Sequence, residues 1–134
     1  NFLNNYIKSN NLNNFIKLIG YKKNAENYLS CGNLFILSSK FEGLPNVLIE
    51  AQSKSIPIIS SDCPTGPREI LLNGKLGDLF SVGNYKKLSK LIKKFKLNNK
   101  RLIKKSKLAK KNLIRFDLKT NCEKYLKIIS KYQI

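Results

Sequence analysis

The 134-residue chain carries 26 Lys and Arg against 8 Asp and Glu, a formal charge of +18, with 42% hydrophobic residues. That size and apolar content fit one domain with one core, and no apolar run nears the roughly 18 residues of a membrane-spanning helix. There is no histidine, and Cys31, Cys63 and Cys122 lack zinc-ligand spacing, so histidine acid–base chemistry and zinc sites within the chain are excluded.

Phe2, Leu3, Tyr6 and Ile7 predict a short helix over Asn1–Asn10. Phe15–Ile19 is an apolar run interrupted by Lys17 and closed by Gly20, and it reads as a first strand. A loop opening at Gly20-Tyr21 leads to a short helix near Asn24–Ser30 and a second strand, Asn33–Ser38. Lys40–Leu44 is then a loop, because Leu44 precedes a proline and is driven to extended geometry. Pro45 suits the first helical position, so a helix is predicted over Pro45–Lys54. Ile56–Ser60 is the third strand. Ser61–Pro67, with two prolines and a glycine, is a tight loop. Pro67 starts another helix, with Arg68 and Glu69 in its first turn, where Glu69 suits the positive helix end. Gly77–Val82 holds the last strand. Beyond it Asn84 caps a helix with Leu88, Leu91, Ile92 and Phe95 on one face. Asn98-Asn99 breaks it, and Leu102, Ile103, Leu108, Leu113 and Ile114 mark the next. Asp117 caps a last helix with Cys122, Tyr125, Leu126, Ile129 and Tyr132 along one side.

Strands alternating with helices imply an α/β fold, with a parallel sheet covered on both faces. Ligands of such sheets bind at the carboxyl ends of the strands, where the loops Gly20–Asn24, Ser38–Leu44 and Ser61–Pro67 emerge. The helix after Leu44 presents unpartnered N–H groups, an anion site, and Gly43 has no Cβ to obstruct a ligand. Two carboxylates bracket this turn. Glu42 lies in the loop, and Glu50 about a turn and a half into the helix. Spacing alone leaves two readings: solvated surface acids, or acceptors for the hydroxyls of a sugar nucleotide whose phosphates take the N–H groups.

Glu42 and Glu50, seven residues apart within Phe-Glu-Gly-Leu-Pro-Asn-Val-Leu-Ile-Glu-Ala, resemble the E-x7-E motif of retaining GT-B glycosyltransferases, family 4 or group 1. Ser38-Ser39, Ile56–Asp62, Asp62–Leu71, Asn73-Gly74, Gly77 and Leu79-Phe80 follow the same family's order. The resemblance implies a Rossmann-like C-terminal half of a GT-B fold with a helical tail over about 84–134. It implies that Glu50 holds the donor's ribose and Glu42 its sugar hydroxyls. N–H groups of Gly43, Leu44, Pro45's helix start and Asn46 take the diphosphate. Tyr21 stands near the base, and Thr65 and Gly66 near sugar and phosphate. No metal cofactor is implied, and the donor is a UDP-sugar, with a lean towards an N-acetylhexosamine. The acceptor, a saccharide or lipid-linked saccharide of bacterial capsule or lipopolysaccharide synthesis, falls to a first domain. A further strand is expected upstream of Asn1, so the chain reads as a single, N-terminally truncated donor domain, inactive alone. Phe116-Asp117-Leu118 and Tyr125 resemble the terminal helix that braces the partner domain.

Two other classes stay open: a sugar-nucleotide binder without turnover, and a basic module for membrane or nucleic acid. The basic residues are nearly all lysine, with only Arg68, Arg101 and Arg115, which speaks against nucleic-acid readout. Lys86–Lys111 is the candidate patch for an anionic membrane. An odd cysteine number suits a reducing compartment, so the expected location is cytoplasmic, with peripheral contact at the inner membrane face.

Overall fold

A computed structural model describes residues 2–132. Its centre is a parallel three-stranded sheet in the order β1 (Phe35–Leu37), β2 (Ile58–Ser61), β3 (Asp78–Phe80). Ile36 pairs with Ile59, and Ile59 with Asp78. All four residues of β2 are buried, as a strand covered on both faces requires. Alternation sends Ile58 and Ile59 to opposite layers. Ile58 packs with Leu48 and Ala51 of α3 (Asn46–Ser53) and Ile70 of α4 (Pro67–Ile70). Ile59 packs with Phe80 and with Leu88, Leu91 and Phe95 of α5 (Tyr85–Leu97). The next helix, α6 (Lys100–Lys111), joins the two layers, with Leu102 in one cluster and Ala109 in the other.

The crossover elements α3 and α4 each run from the carboxyl end of one strand back to the next. They therefore leave the loops after β1 and β2 side by side at one edge of the sheet. Gln52, fully buried on α3, donates from Nε2 to the Ile70 carbonyl at 3.2 Å and fixes α3 against α4.

One predicted strand is absent. Phe15–Ile19 forms a turn followed by irregular chain, with Phe15 and Ile16 N–H groups both donating to the Leu12 carbonyl at 2.9 Å. An apolar run becomes a strand only when a neighbour supplies a ladder, and no described strand pairs with this one. Its side chains are exposed, Phe15 at 84%. The flanking helices, α1 (Phe2–Ser9) and α2 (Ala25–Ser30), lie where predicted. The α1 prediction also covered Asn1, which lies outside the described residues. Pro45 sits at the N-cap position of α3, with ψ 91°, one residue outside the helix it was expected to enter.

The tail is helical: α5, α6, a 3-10 turn (Asn112–Phe116) and α7 (Leu118–Ile129). Asn84 Oδ1 accepts from Lys87 N at 2.9 Å, and Asp117 Oδ2 from Thr120 N at 2.8 Å, so both predicted caps form. No helix among the described residues is long and apolar enough to cross a membrane.

Candidate functional site

The loop from Ser38 to Pro45 is held by the neighbouring loop, Asp62–Gly66. Ser61 Oγ donates to the Ser39 carbonyl at 2.7 Å. Glu42 N donates to the Pro64 carbonyl at 3.2 Å, and Thr65 N returns to the Glu42 carbonyl at 2.9 Å. Thr65 Oγ1 adds longer bonds to the Glu42 and Gly43 carbonyls. Gly66 lies directly beneath this turn, at φ +91°. A Cβ there would stand 2.2 Å from the Gly43 carbonyl oxygen and 2.6 Å from Pro45 Cδ. Only glycine fits.

On this frame Ser39 Oγ donates to Glu42 Oε1 at 2.6 Å, which orients a half-buried carboxylate. No side chain caps the start of α3, leaving the N–H groups of Asn46 and Val47 open. Space beside Gly43 is empty within 4 Å of where its Cβ would be. Leu44 is half exposed, and Pro45 is buried. Glu50, four residues beyond Asn46 and so about 6 Å up the axis, is exposed, and its carboxylate has no partner among the described residues. The loop after β1 and the first turns of α3 form one continuous ledge of chain that carries Glu42, Gly43, Leu44, Pro45, Asn46 and Glu50. Thr65 and Gly66 adjoin it, with Thr65's donors already given to the loop. Tyr21 is 92% exposed, on the irregular segment before α2, outside the hydrogen bonds that join the two loops.

A cavity of about 700 Å³ is bounded by the Asp62–Gly66 loop, α4 and Arg115, and neither Glu42 nor Glu50 lines it. The ledge itself is open. On the cavity rim Arg68 pairs with Asp62 through two hydrogen bonds, and these raise the guanidinium pKa. Arg68 is therefore engaged in a surface ion pair. Arg115, stacked 4.9 Å over Phe116, donates to the Ile70 carbonyl at 3.0 Å and closes the end of α4.

Three supporting arrangements escaped sequence reasoning. Ser39 and Ser61 were noted only as part of a resemblance; two serines at the carboxyl ends of adjacent strands were the available signal. Asp78, buried at the start of β3, is held by Arg101 on both oxygens and by Lys105 Nζ at 2.7 Å, which also reaches the Gly74 and Gly77 carbonyls. Burial pushes its carboxyl pKa up, but the Arg101 and Lys105 bonds and charges outweigh this and hold it below the ordinary value. The signal there was a lone acid 23 residues ahead of an arginine, too distant for any local pattern. Arg115's role had no signal at all.

Residues 1–112 match the model of the family described as glycosyl transferases group 1. The chain belongs to that family. Among curated relatives, an uncharacterized glycosyltransferase of Methanocaldococcus jannaschii is 51% identical over 71 residues, 53% of this chain and 18% of that protein. A lipopolysaccharide 1,6-galactosyltransferase of Salmonella typhimurium is 50% identical over 48 residues, 36% of this chain and 13% of that one. The chain matches between 11% and 21% of the length of these curated relatives. Among solved structures, Anabaena HepE in complex with UDP superposes with a TM-score of 0.87 at 20% identity, covering 97% of this chain and 36% of HepE. TarM, a Staphylococcus aureus protein, superposes at 0.83 and 24% identity, over 94% of this chain and 26% of TarM. The parallel sheet with its flanking helices and helical tail is the Rossmann-like C-terminal domain of the GT-B fold.

Proposed function

We propose that this chain is the donor-binding part of a retaining, family 4 glycosyltransferase, and that the ledge between Glu42 and Glu50 holds a UDP-sugar. The observation that carries this is the pairing of an uncapped helix start with two differently prepared carboxylates. Diphosphate oxygens take the N–H groups from Gly43 to Asn46, with the α3 dipole adding to the attraction. Glu50, free and exposed, accepts from the ribose hydroxyls. Glu42, aimed by Ser39, accepts from the sugar's hydroxyls and steadies positive charge at the anomeric carbon.

In the reaction the bond between the anomeric carbon and the diphosphate breaks, and its electron pair leaves with the diphosphate. The acceptor hydroxyl bonds to the same face of that carbon and gives its proton to the departing phosphate. The chain's contribution is electrostatic, since the α3 start is already oriented towards the charge that develops. This uptake of charge by N–H groups takes the place of a metal ion. Thr65 and Gly66 serve by shaping the ledge.

The matched relatives include enzymes named for lipopolysaccharide and diphospho-undecaprenol-linked sugar transfer. They support a hexose or N-acetylhexosamine donor and a saccharide or lipid-linked acceptor in bacterial surface-glycan synthesis. The acceptor is held by a domain outside this chain, so the chain alone binds donor without turnover. The test is an NMR titration with UDP, UDP-GlcNAc and GDP-mannose. Shifts clustered at 43–50 for the uridine ligands and lost in Glu50→Ala support the reading. Absence of shifts at that ledge with any nucleotide, in a longer chain as well as this one, rejects it.

A further inference from the structure

The charge of this protein is not spread evenly. Between Asp78 and Asp117 the sequence holds 12 Lys and 2 Arg and no acid, while the remaining residues carry 12 basic groups beside all 8 acids. A general compositional preference for lysine acts on the whole chain and leaves this concentration unexplained. The structure arranges it further. In α5, Leu88, Leu91 and Phe95 turn inward, so helical geometry places Lys86, Lys90, Lys93 and Leu97 on the opposite face. In α6, Leu102, Ser106 and Ala109 are buried, and Lys100, Lys104, Lys107 and Lys111 form the outward stripe. Both stripes follow the same i, i+4, i+7, i+11 spacing. All seven lysines are exposed, and none is ion-paired or hydrogen-bonded through its ammonium among the described residues. Arg101 and Lys105, which do have a partner, are the basic groups turned towards Asp78.

Lysines lined up in this way repel one another, and neither helix carries an acid to offset the repulsion. Two apolar side chains stand among them: Leu97, 87% exposed at the tip of α5, and Leu108, 47% exposed on α6. We infer that the outer faces of α5 and α6 form a docking surface for an anionic phospholipid bilayer. Flexible ammonium groups suit a dense, mobile layer of headgroup phosphates, and each contributes separately near such a surface. Leu97, at the junction of the helices, reaches past the headgroups into the interface. The inference is independent of the nucleotide site, which lies on other loops.

The test is co-sedimentation of the whole chain with phosphatidylcholine vesicles, plain or containing about a third phosphatidylglycerol, at physiological salt. The face variant K90E/K93E/K104E/K107E is compared with K8E/K17E/K54E/K75E, which makes the same charge change elsewhere. Binding to the anionic vesicles alone is expected, weakened about tenfold or more in the face variant and within about twofold in the other. Circular dichroism verifies that both remain folded, and the UDP shifts measured on each report separately on the donor ledge. Equal loss in both variants reduces the effect to bulk charge and overturns the inference. So does equal binding to neutral vesicles. A short duplex DNA or RNA that binds through the same lysines, as tightly and at the same salt, makes the partner a nucleic acid and overturns it too.

Discussion

Gly66 is where a single methyl group has the greatest effect on the ledge. Its φ of +91° is outside the range L residues favour, and the Gly43 carbonyl fills the space a Cβ needs. Gly66→Ala should cost about 1–2 kcal/mol from backbone conformation alone, with the clash in addition. In urea unfolding the midpoint should fall, and the nucleotide-induced shifts at 43–50 should weaken in the folded fraction. Ser39→Ala tests a smaller effect. Loss of the 2.6 Å bond to Glu42 should change stability by only about 1 kcal/mol, yet loosen the carboxylate proposed to meet the sugar. Asp78 supports the fold from the other end of β3. Because its folded pKa is lowered, its contribution is fully present above its unfolded value of about 3.8 and is lost as pH falls through the lower, folded value. Asp78→Asn should lower stability by about 2 kcal/mol at neutral pH, since solvent-exposed Arg101 keeps the loss below that of a fully buried pair. A pH series of urea melts should show the difference between wild type and variant shrinking below about pH 4.

Among the elements, helix starts and strand–loop–helix order were legible because local chemistry decides them. Asn84 and Asp117 each accept from the N–H three residues on, as their residue types and the apolar rows after them imply. Asn84→Ala should cost about 1 kcal/mol and speed amide exchange in the first turn of α5. The run Phe15–Ile19 was misread for an equally physical reason. Strand identity belongs to a pair of segments, and that run has the composition of a strand without a described partner. The β1–α3 ledge was legible in its residues, Glu42, Gly43 and Glu50, but its support was not. Thr65 N bonded to the Glu42 carbonyl, or Lys105 reaching Gly74 and Gly77, joins positions more than twenty residues apart. No periodicity encodes such contacts.

The whole molecule is unevenly finished. β2 and the clusters on either side of it are closed, while Phe2 of α1 and the apolar side of α7 face outward: Phe2 is 79% exposed, Tyr125 68% and Leu126 64%. On the proposed function, this is the surface that a helix bracing an acceptor domain would bury. Hydrogen exchange should therefore be slowest in β2 and fast throughout α7, despite that helix's good N-cap. In a longer chain carrying the acceptor domain, protection of α7 should rise while that of β2 stays unchanged.

The proposed division of labour between the two glutamates is measured most directly by calorimetry of UDP and UDP-GlcNAc binding to wild type, Glu50→Gln and Glu42→Gln. Glu50→Gln should weaken both ligands about tenfold or more, the loss of a charge-assisted hydrogen bond. Glu42→Gln should leave UDP within about twofold and remove most of the added affinity that the sugar brings. Equal affinities across all three proteins, or a Glu42→Gln variant that loses UDP as much as UDP-GlcNAc, would contradict the assignment of ribose to Glu50 and sugar to Glu42.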